Sequence, residues 1–328
     1  MKTLRILAHP DPFLATKARE VSTQELLSGS ADDVSLKELL GDMLLTMYAN
    51  RGAGLAATQV GVGLRIFVAD ISPGSNSPFH VVNPVVSEPL GSETDLEGCL
   101  SVPGTRLKVE RPQSVLVTGL YLDGRPTKFR ANGIMARVCQ HETDHLDGVL
   151  FTERAVAEAR KFAVMAHAGQ KRKYAGGEYS AHPVRVSKMA EKLGMRPQAV
   201  MAAALHDVKE DAPDFVSLME AKFGSEVSEL VGWLTNPSKG SELPRSERKR
   251  MDQEHLATAP ADAKLIKAMD RLDNLRDMEL APEDFRTMYF GESLLLADVL
   301  AKGDSSPLLA ELVNGIRKAV GGGQEGRL

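Results

Sequence analysis

Cysteine is scarce, with two in 328 residues. That is too few for a disulfide framework, so a reducing compartment is expected, and a conspicuous cysteine reads as a ligand or nucleophile rather than half of a bridge. Long apolar runs are missing as well. None approaches the ~20 residues needed to span a bilayer, and Arg5 and His9 interrupt the N-terminus before a signal-peptide core develops. A cytoplasmic protein with no membrane contact is expected. Aromatic residues make up only 5%, which removes the stacking platforms that single-stranded nucleic acid needs. A net charge of −4 supplies no global field for a polyanion. Direct nucleic-acid binding is not expected, although a small anionic substrate needs only a local basic pocket. Internal repeats and low-complexity segments are absent too.

What remains is an ordinary globular balance, 43% hydrophobic and 26% charged, in a chain long enough for two domains. Residues 65–70, 81–86 and 114–122 are rich in β-branched residues and predict strands, with Asp123-Gly124 as a hairpin turn. Helical spacing appears at about 35–50 and 132–147. Residues 28–33 and 72–78 read as surface loops. From Glu153 onward the apolar spacing is helical nearly throughout. An α+β domain over 1–153 and an all-α domain over 154–328 are therefore expected. They should abut, because no Gly/Ser/Pro linker separates them, and the glycine-rich stretch 321–326 should fray. The charge divides as well: the whole net −4 falls within the first domain, while the second balances its signs and has basic residues to spare.

The segment Gln140-His-Glu-Thr-Asp-His145 contains HExxH. On a helix, His141 and His145 project from one face and can share an ion, with Glu142 beside it to take a proton from water. Glu97-Gly-Cys-Leu-Ser101 adds Cys99, a soft third ligand. Gly52-Ala-Gly-Leu-Ala-Ala-Thr-Gln59 offers glycines for close backbone approach and ends in an amide donor. Cys139 has no such context and reads as a small core residue.

Together these segments resemble the three signature motifs of peptide deformylase, GxGxAAxQ, EGCLS and QHExDH. His9-Pro-Asp-Pro12, Asn83-Pro84 and the continuation to Phe151 extend the resemblance over residues 1 to about 153. It implies a catalytic metal on Cys99, His141 and His145, natively Fe2+ with Zn2+, Ni2+ or Co2+ as substitutes. Glu142 would be the general base, and the Gln59 amide with the Leu100 backbone N–H would stabilise the oxyanion. Gly54 would pair with the substrate backbone, and Ile134 and Val138 would line a methionine pocket. The substrates implied are N-formylmethionyl nascent peptides, met near the ribosome, and the products formate and a free N-terminus. Arg137 departs from the pattern: family members often carry an apolar residue there. Such a charge either snorkels outward or narrows the side-chain preference.

In the second half, His206-Asp207 follows an apolar helical run, with His182 upstream and Asp270 downstream. The order H…HD…D is the metal signature of the HD hydrolase superfamily, and mixed imidazole and carboxylate ligands suit Mn2+. The segments around Lys171-Arg-Lys173, Tyr179 to Pro183, LHDVKED, LPRSERKR and MDRLDNLRD resemble the small alarmone hydrolases of the RelA/SpoT family. The fold implied for the whole chain is a peptide-deformylase α+β fold followed by an all-α HD fold. The second reaction implied is hydrolysis of the 3′-pyrophosphate of (p)ppGpp to GDP or GTP. His182, His206, Asp207 and Asp270 would hold the metal, and Glu210 and Asp211 would orient or deprotonate the attacking water. Arg172 would stack on guanine, Lys173 would contact phosphate and Asn274 would face the ribose. The run Arg245–Arg250 reads either as a steering patch or as a solvated helix face.

Departures appear here too. The family often has His or Tyr where this chain has Asp273, an added carboxylate that could weaken binding of a tetra-anion, and Leu-Ala where it has Ala268-Met269. His167 reads as structural and His255 as a surface residue. Two alternatives stay open for this half: a nucleotide-sensing module that regulates the deformylase, or a hydrolase for another phosphorylated nucleotide such as NADPH.

Overall fold

A computed structural model describes residues 1–74, 76–302 and 306–325. The chain divides into two compact units, Met1–Arg154 and Ala155–Leu328. The first is α+β and the second helical.

The strands of the first unit are β1 (Ser30–Ala31), β2 (Val34–Ser35), β3 (Gly54–Ala56), β4 (Ile66–Ala69), β5 (Phe79–Leu90), β6 (Glu93–Cys99), β7 (Val102–Arg111), β8 (Ser114–Leu120) and β9 (Pro126–Asn132). Its helices are α1 (Thr23–Ser28), α2 (Leu36–Ala49) and α3 (Gly133–Leu146). Five strands form an antiparallel sheet in the order β3-β4-β5-β8-β9, while β6 pairs with β7 apart from it.

Alternation along β4 shows how the sheet is buried on both faces. Ile66 and Val68 pack in one cluster with Leu36, Leu39, Leu40, Met43 and Met47, the i, i+3, i+4 stripe of α2. Phe67 and Ala69 pack in the other cluster with Ala136, Cys139 and Leu146 of α3. Cys139 is thus a core residue. The metal-motif helix lies on the sheet by its apolar stripe and turns His141 and Glu142 away from that stripe.

The strands at 65–70, 81–86 and 114–122 correspond to β4, β5 and β8, and the turn at Asp123-Gly124 joins β8 to β9. Two expectations change. Residues 28–33, read as a loop, contain the β1 half of a hairpin whose turn residues Asp32 and Asp33 have φ of 47° and 62°, the left-handed geometry of a tight two-residue turn. Strands β6 and β7 were not expected. The residues of β6 are largely polar and exposed, so no apolar alternation announces it, whereas β7 buries Leu107 and Val109 in alternation after a start at Pro103 and Gly104 that hides it.

Helix α4 (Phe151–Ala166) begins within the first unit and continues into the second. The second unit adds α5 (Ala181–Lys192), α6 (Pro197–Leu205), α7 (Val208–Asp211), α8 (Val216–Phe223), α9 (Ser225–Leu234), α10 (Arg245–Ala257), α11 (Ala261–Leu275), α12 (Glu283–Ala301) and α13 (Pro307–Glu325). Residues 198–205 of α6 are all buried, as expected of a helix that is apolar all round and sits centrally. Helices α5, α9 and α11 pack against it. The glycine stretch expected to fray is helical through Glu325, and residues 326–328 lie outside the described residues. Among the described residues no helix is long and apolar enough to cross a membrane.

Candidate active sites and metal centres

Three elements build the first site. Cys99 closes β6 where the β6–β7 register shifts between Gly98 and Cys99, so its side chain leaves the ladder. His141 and His145, one turn apart on α3, complete the cluster. Their ligand atoms and Cys99 Sγ lie within 4.8 Å of one another, and Cys99 Sγ is 3.1 Å from His145 Nε2. Gln59 reaches the cluster from the turn after β3. Its Oε1 accepts the Ala56 N–H at 2.9 Å, so its amide hydrogens point to Cys99 Sγ at 3.4 Å and Ser101 Oγ at 3.2 Å.

Glu142 lies beside the imidazoles against the backbone of β3. A Cβ at Gly54 would stand 2.3 Å from Glu142 Oε1, so the glycine is required by close approach. Glu142 Oε2 is buried without a partner. Burial pushes this carboxyl up to about 7, against the opposing charges of His141 and Arg111.

Behind His141 stands a network to which sequence analysis gave no role. Glu97 Oε2 lies 3.1 Å from His141 Nδ1. Arg111 donates to both Glu97 oxygens, at 2.6 and 2.9 Å, and to Asp144 at 2.7 Å. Although burial alone would raise Glu97, hydrogen bonds from His141 and Arg111 hold it at about 2. This carboxylate fixes the ring and leaves Nε2 toward the cluster, the arrangement typical of metal-binding histidines. Glu97 could have been suspected from its place two residues before Cys99; Arg111, fourteen residues further on, carries no spacing signal.

Arg137 neither snorkels outward nor presents a free charge to the pocket. It is buried, donating to Glu97 Oε1 at 2.6 Å, Val109 O at 3.0 Å and Glu93 O at 2.9 Å. A cleft of about 830 Å³ lies over the cluster, lined among others by Gly54, Gln59, Leu100, Ile134, Arg137 and Val138.

In the second unit α5, the end of α6 and α11 converge. His182 Nε2 is 3.2 Å from Asp270 Oδ1 and 3.7 Å from Asp207 Oδ2. His206 Nε2 is 3.2 Å from Asp207 Oδ2 and 3.8 Å from Asp270 Oδ1. His206 Nδ1 faces Ala203 O at 2.9 Å, which turns Nε2 inward, and that atom is buried without a hydrogen-bond partner. Burial lowers the proton affinity of His182, but Asp270 and Asp273 outweigh it and push the ring up to about 9. All four ligand candidates meet at this one place.

The other residues singled out surround it. Asp211 touches the Tyr179 hydroxyl at 3.3 Å and Lys239 at 2.6 Å, whereas Glu210 accepts the Asn236 N–H at 2.6 Å. Tyr179, which sequence analysis gave no role, donates to Asp207 Oδ2 at 2.7 Å. Asn274 donates to Asp270 Oδ1 at 2.5 Å. Arg172 donates through Nε to Asp277 at 2.7 Å and through Nη2 to Asn274 at 3.0 Å. Lys173 extends over the rings of Tyr174 and Phe285, 5.1 and 5.3 Å from their centroids.

Asp273 and His255 differ from expectation, while the run Arg245–Arg250 lies largely exposed on α10. Asp273 is no loose carboxylate facing a substrate: it is fully buried and bound by His182 and Arg185. His255 is half-buried and stacks on Trp233 with centroids 4.8 Å apart. Arg245, in the basic run, pairs with Glu292 at 2.7 Å.

Both clusters suit a metal ion. One thiolate and two imidazoles form a soft set that would leave an ion free to take a water ligand, and Glu142 keeps an unpartnered oxygen beside it. Two imidazoles and two carboxylates form a harder set, and the orphaned Nε2 of His206 faces into it.

A family model of polypeptide deformylase matches residues 3–161, and one of an HD domain matches residues 159–295. The chain is 46% identical over 151 residues to a peptide deformylase from Dictyoglomus thermophilum, covering 46% of this chain and 92% of that protein. A peptide deformylase from Xylella fastidiosa strain M12 is 44% identical over 153 residues, covering 47% of this chain and 87% of its own length. Among solved structures, a peptide deformylase from Legionella pneumophila is 39% identical over 46% of this chain and 85% of its own, with a TM-score of 0.42.

Proposed function

The chain belongs to the peptide deformylase family and carries an HD domain after it, and from that premise we propose that it is a bifunctional hydrolase. The first unit removes the formyl group from N-formylmethionyl peptides emerging near the ribosome in the cytoplasm. The second hydrolyses the 3′-pyrophosphate of (p)ppGpp, releasing pyrophosphate and GDP or GTP.

The observation that carries the first half is the pairing of Gln59 with Glu142 around one ligand cluster. Cys99, His141 and His145 would hold Fe2+, or Zn2+, Ni2+ or Co2+, and His182, His206, Asp207 and Asp270 would hold Mn2+; such an ion would supply a water molecule of lowered pKa. Glu142 Oε2 has no partner of its own and takes the proton of the attacking water, then passes it to the leaving amine. The Gln59 amide, already oriented by Ala56, and the Leu100 backbone N–H receive the negative charge that develops on the formyl oxygen. Gly54 leaves its backbone open to pair with the peptide, and Ile134 and Val138 offer an apolar wall for methionine. The Glu142→Gln variant keeps the size of the side chain and removes the proton acceptor. Formate release from a formyl-methionyl peptide is expected to fall about 10²–10⁴-fold.

Support for the second half is the platform beside the HD cluster. Arg172 commits its guanidinium edge to Asp277 and Asn274, which fixes the plane and suits stacking on a base. Asn274 bridges this platform to Asp270, next to a ribose. Lys173, which lies over the rings of Tyr174 and Phe285, is the contact for phosphate. Asp211, near Tyr179 and Asp207, orients the attacking water, and Glu210 supports it from the same turn. Incubating the chain with Mn2+ and ppGpp should yield GDP and pyrophosphate. Binding of ppGpp without turnover would make the unit a sensor, and release of phosphate from NADPH alone would assign it a different nucleotide.

A further inference from the structure

Asp273 lies on α11 one turn beyond Asp270, so both carboxylates project from the same face. It is fully buried, and a buried carboxylate persists only where its partners are defined. They are. Its Oδ2 lies 2.7 Å from His182 Nδ1. Arg185, from the next turn of α5, grips it as a fork, Nε to Oδ1 and Nη2 to Oδ2, each at 2.8 Å. Arg276 approaches Oδ1 at 3.4 Å.

An ionised carboxylate only accepts hydrogen bonds, so the proton between these groups belongs to His182 Nδ1. The lone pair of the neutral ring is then on Nε2, the atom that faces Asp270 and Asp207. His206 reaches the same state by another route, its Nδ1 satisfied by the carbonyl of Ala203. One imidazole of the cluster is thus aimed by backbone and the other by a side chain. The Arg185 fork sets the plane of that side chain and offsets its charge, so Asp273 adds no net repulsion toward an anionic substrate.

We propose that Asp273, held by Arg185, is a positioning residue that fixes the Nδ1–H tautomer and the aim of His182, so that Nε2 is its ligand atom. The proposal rests on the reading of His182, His206, Asp207 and Asp270 as a metal site. Residues that orient a ligating histidine in this way are worth about 10–100-fold in metal affinity.

The test uses the full chain with Mn2+ as probe, free Mn2+ being read by its paramagnetic resonance. D273N should raise the Kd about 10–100-fold. In metal-free, ¹⁵N-histidine-labelled protein held above pH 9, where the ring is neutral, His182, assigned with H182Q, should show the Nδ1–H pattern in the wild type and lose it in D273N. An unchanged Kd together with an unchanged ring pattern overturns the proposal. Should D273N fail to fold, R185Q takes its place: it alters a partly exposed side chain and frees the carboxylate from its fork. It should raise the Kd in the same direction, and an unchanged affinity there overturns the proposal. Failure of the wild type to bind Mn2+ sinks the metal reading itself, and the ring pattern then decides the role of Asp273 alone.

Discussion

Glu97 and Gly54 act on the first site from opposite sides. Glu97 takes hydrogen bonds from Arg111, Arg137 and His141, a degree of satisfaction without which a buried charge costs several kcal/mol. Gly54 contributes by what it lacks. A methyl group there would stand 2.3 Å from Glu142 Oε1, so G54A must displace the carboxylate or the strand. Displacements of about 1 Å cost roughly 10²-fold in rate, and formate release should fall by that order in a steady-state assay while the protein remains folded. Single residues were also where sequence reasoning reached furthest and failed most sharply. The thiol and two imidazoles assigned to one metal come together, as do the two imidazoles assigned to the other, because ligand chemistry imposes spacing that survives in the sequence. The outward course offered for Arg137 and the readings of Asp273 and His255 failed because their environment is set by groups far along the chain. Glu97 is 40 residues from Arg137, and His182 is 91 from Asp273. No local pattern shows whether such a charge has a partner.

At the level of elements, each site hangs on one helix that presents two functional groups from a single face. Helix α3 offers His141 and His145 at i and i+4 while Ala136, Cys139 and Leu146 anchor its other side. Helix α11 offers Asp270 and Asp273 at i and i+3. The long elements with clear apolar periods, α2, α3, β4 and β8, were legible for that reason. Strand β6 was not, although it delivers Cys99, because a mostly exposed strand needs no apolar alternation to form. Helix α6 is the counterexample in the second unit: apolar on every side, it identifies itself as the centre of its bundle. Leu205, fully buried at its end and one residue before His206, is the place to test that. L205A should destabilise the second unit by about 2–5 kcal/mol. In denaturant titrations this appears as an earlier transition for that unit with the first unit's transition unmoved.

For the molecule as a whole, the composition that seemed unremarkable resolves into two ligand sets of different character. One is soft, in an acidic α+β unit. The other is harder, in a helical unit of balanced charge, with Arg172 linked to it through Asn274. The two share no side chain, and the reactions proposed for them share no intermediate, so they should be separable on one chain. The most direct test is to measure formate release from a formyl-methionyl peptide and pyrophosphate release from ppGpp in parallel, for the wild type, E142Q and D207A. The account predicts that E142Q loses formate release and keeps pyrophosphate release, and that D207A does the reverse. Loss of both activities in either variant, or no pyrophosphate from the wild type with Mn2+ present, would contradict it.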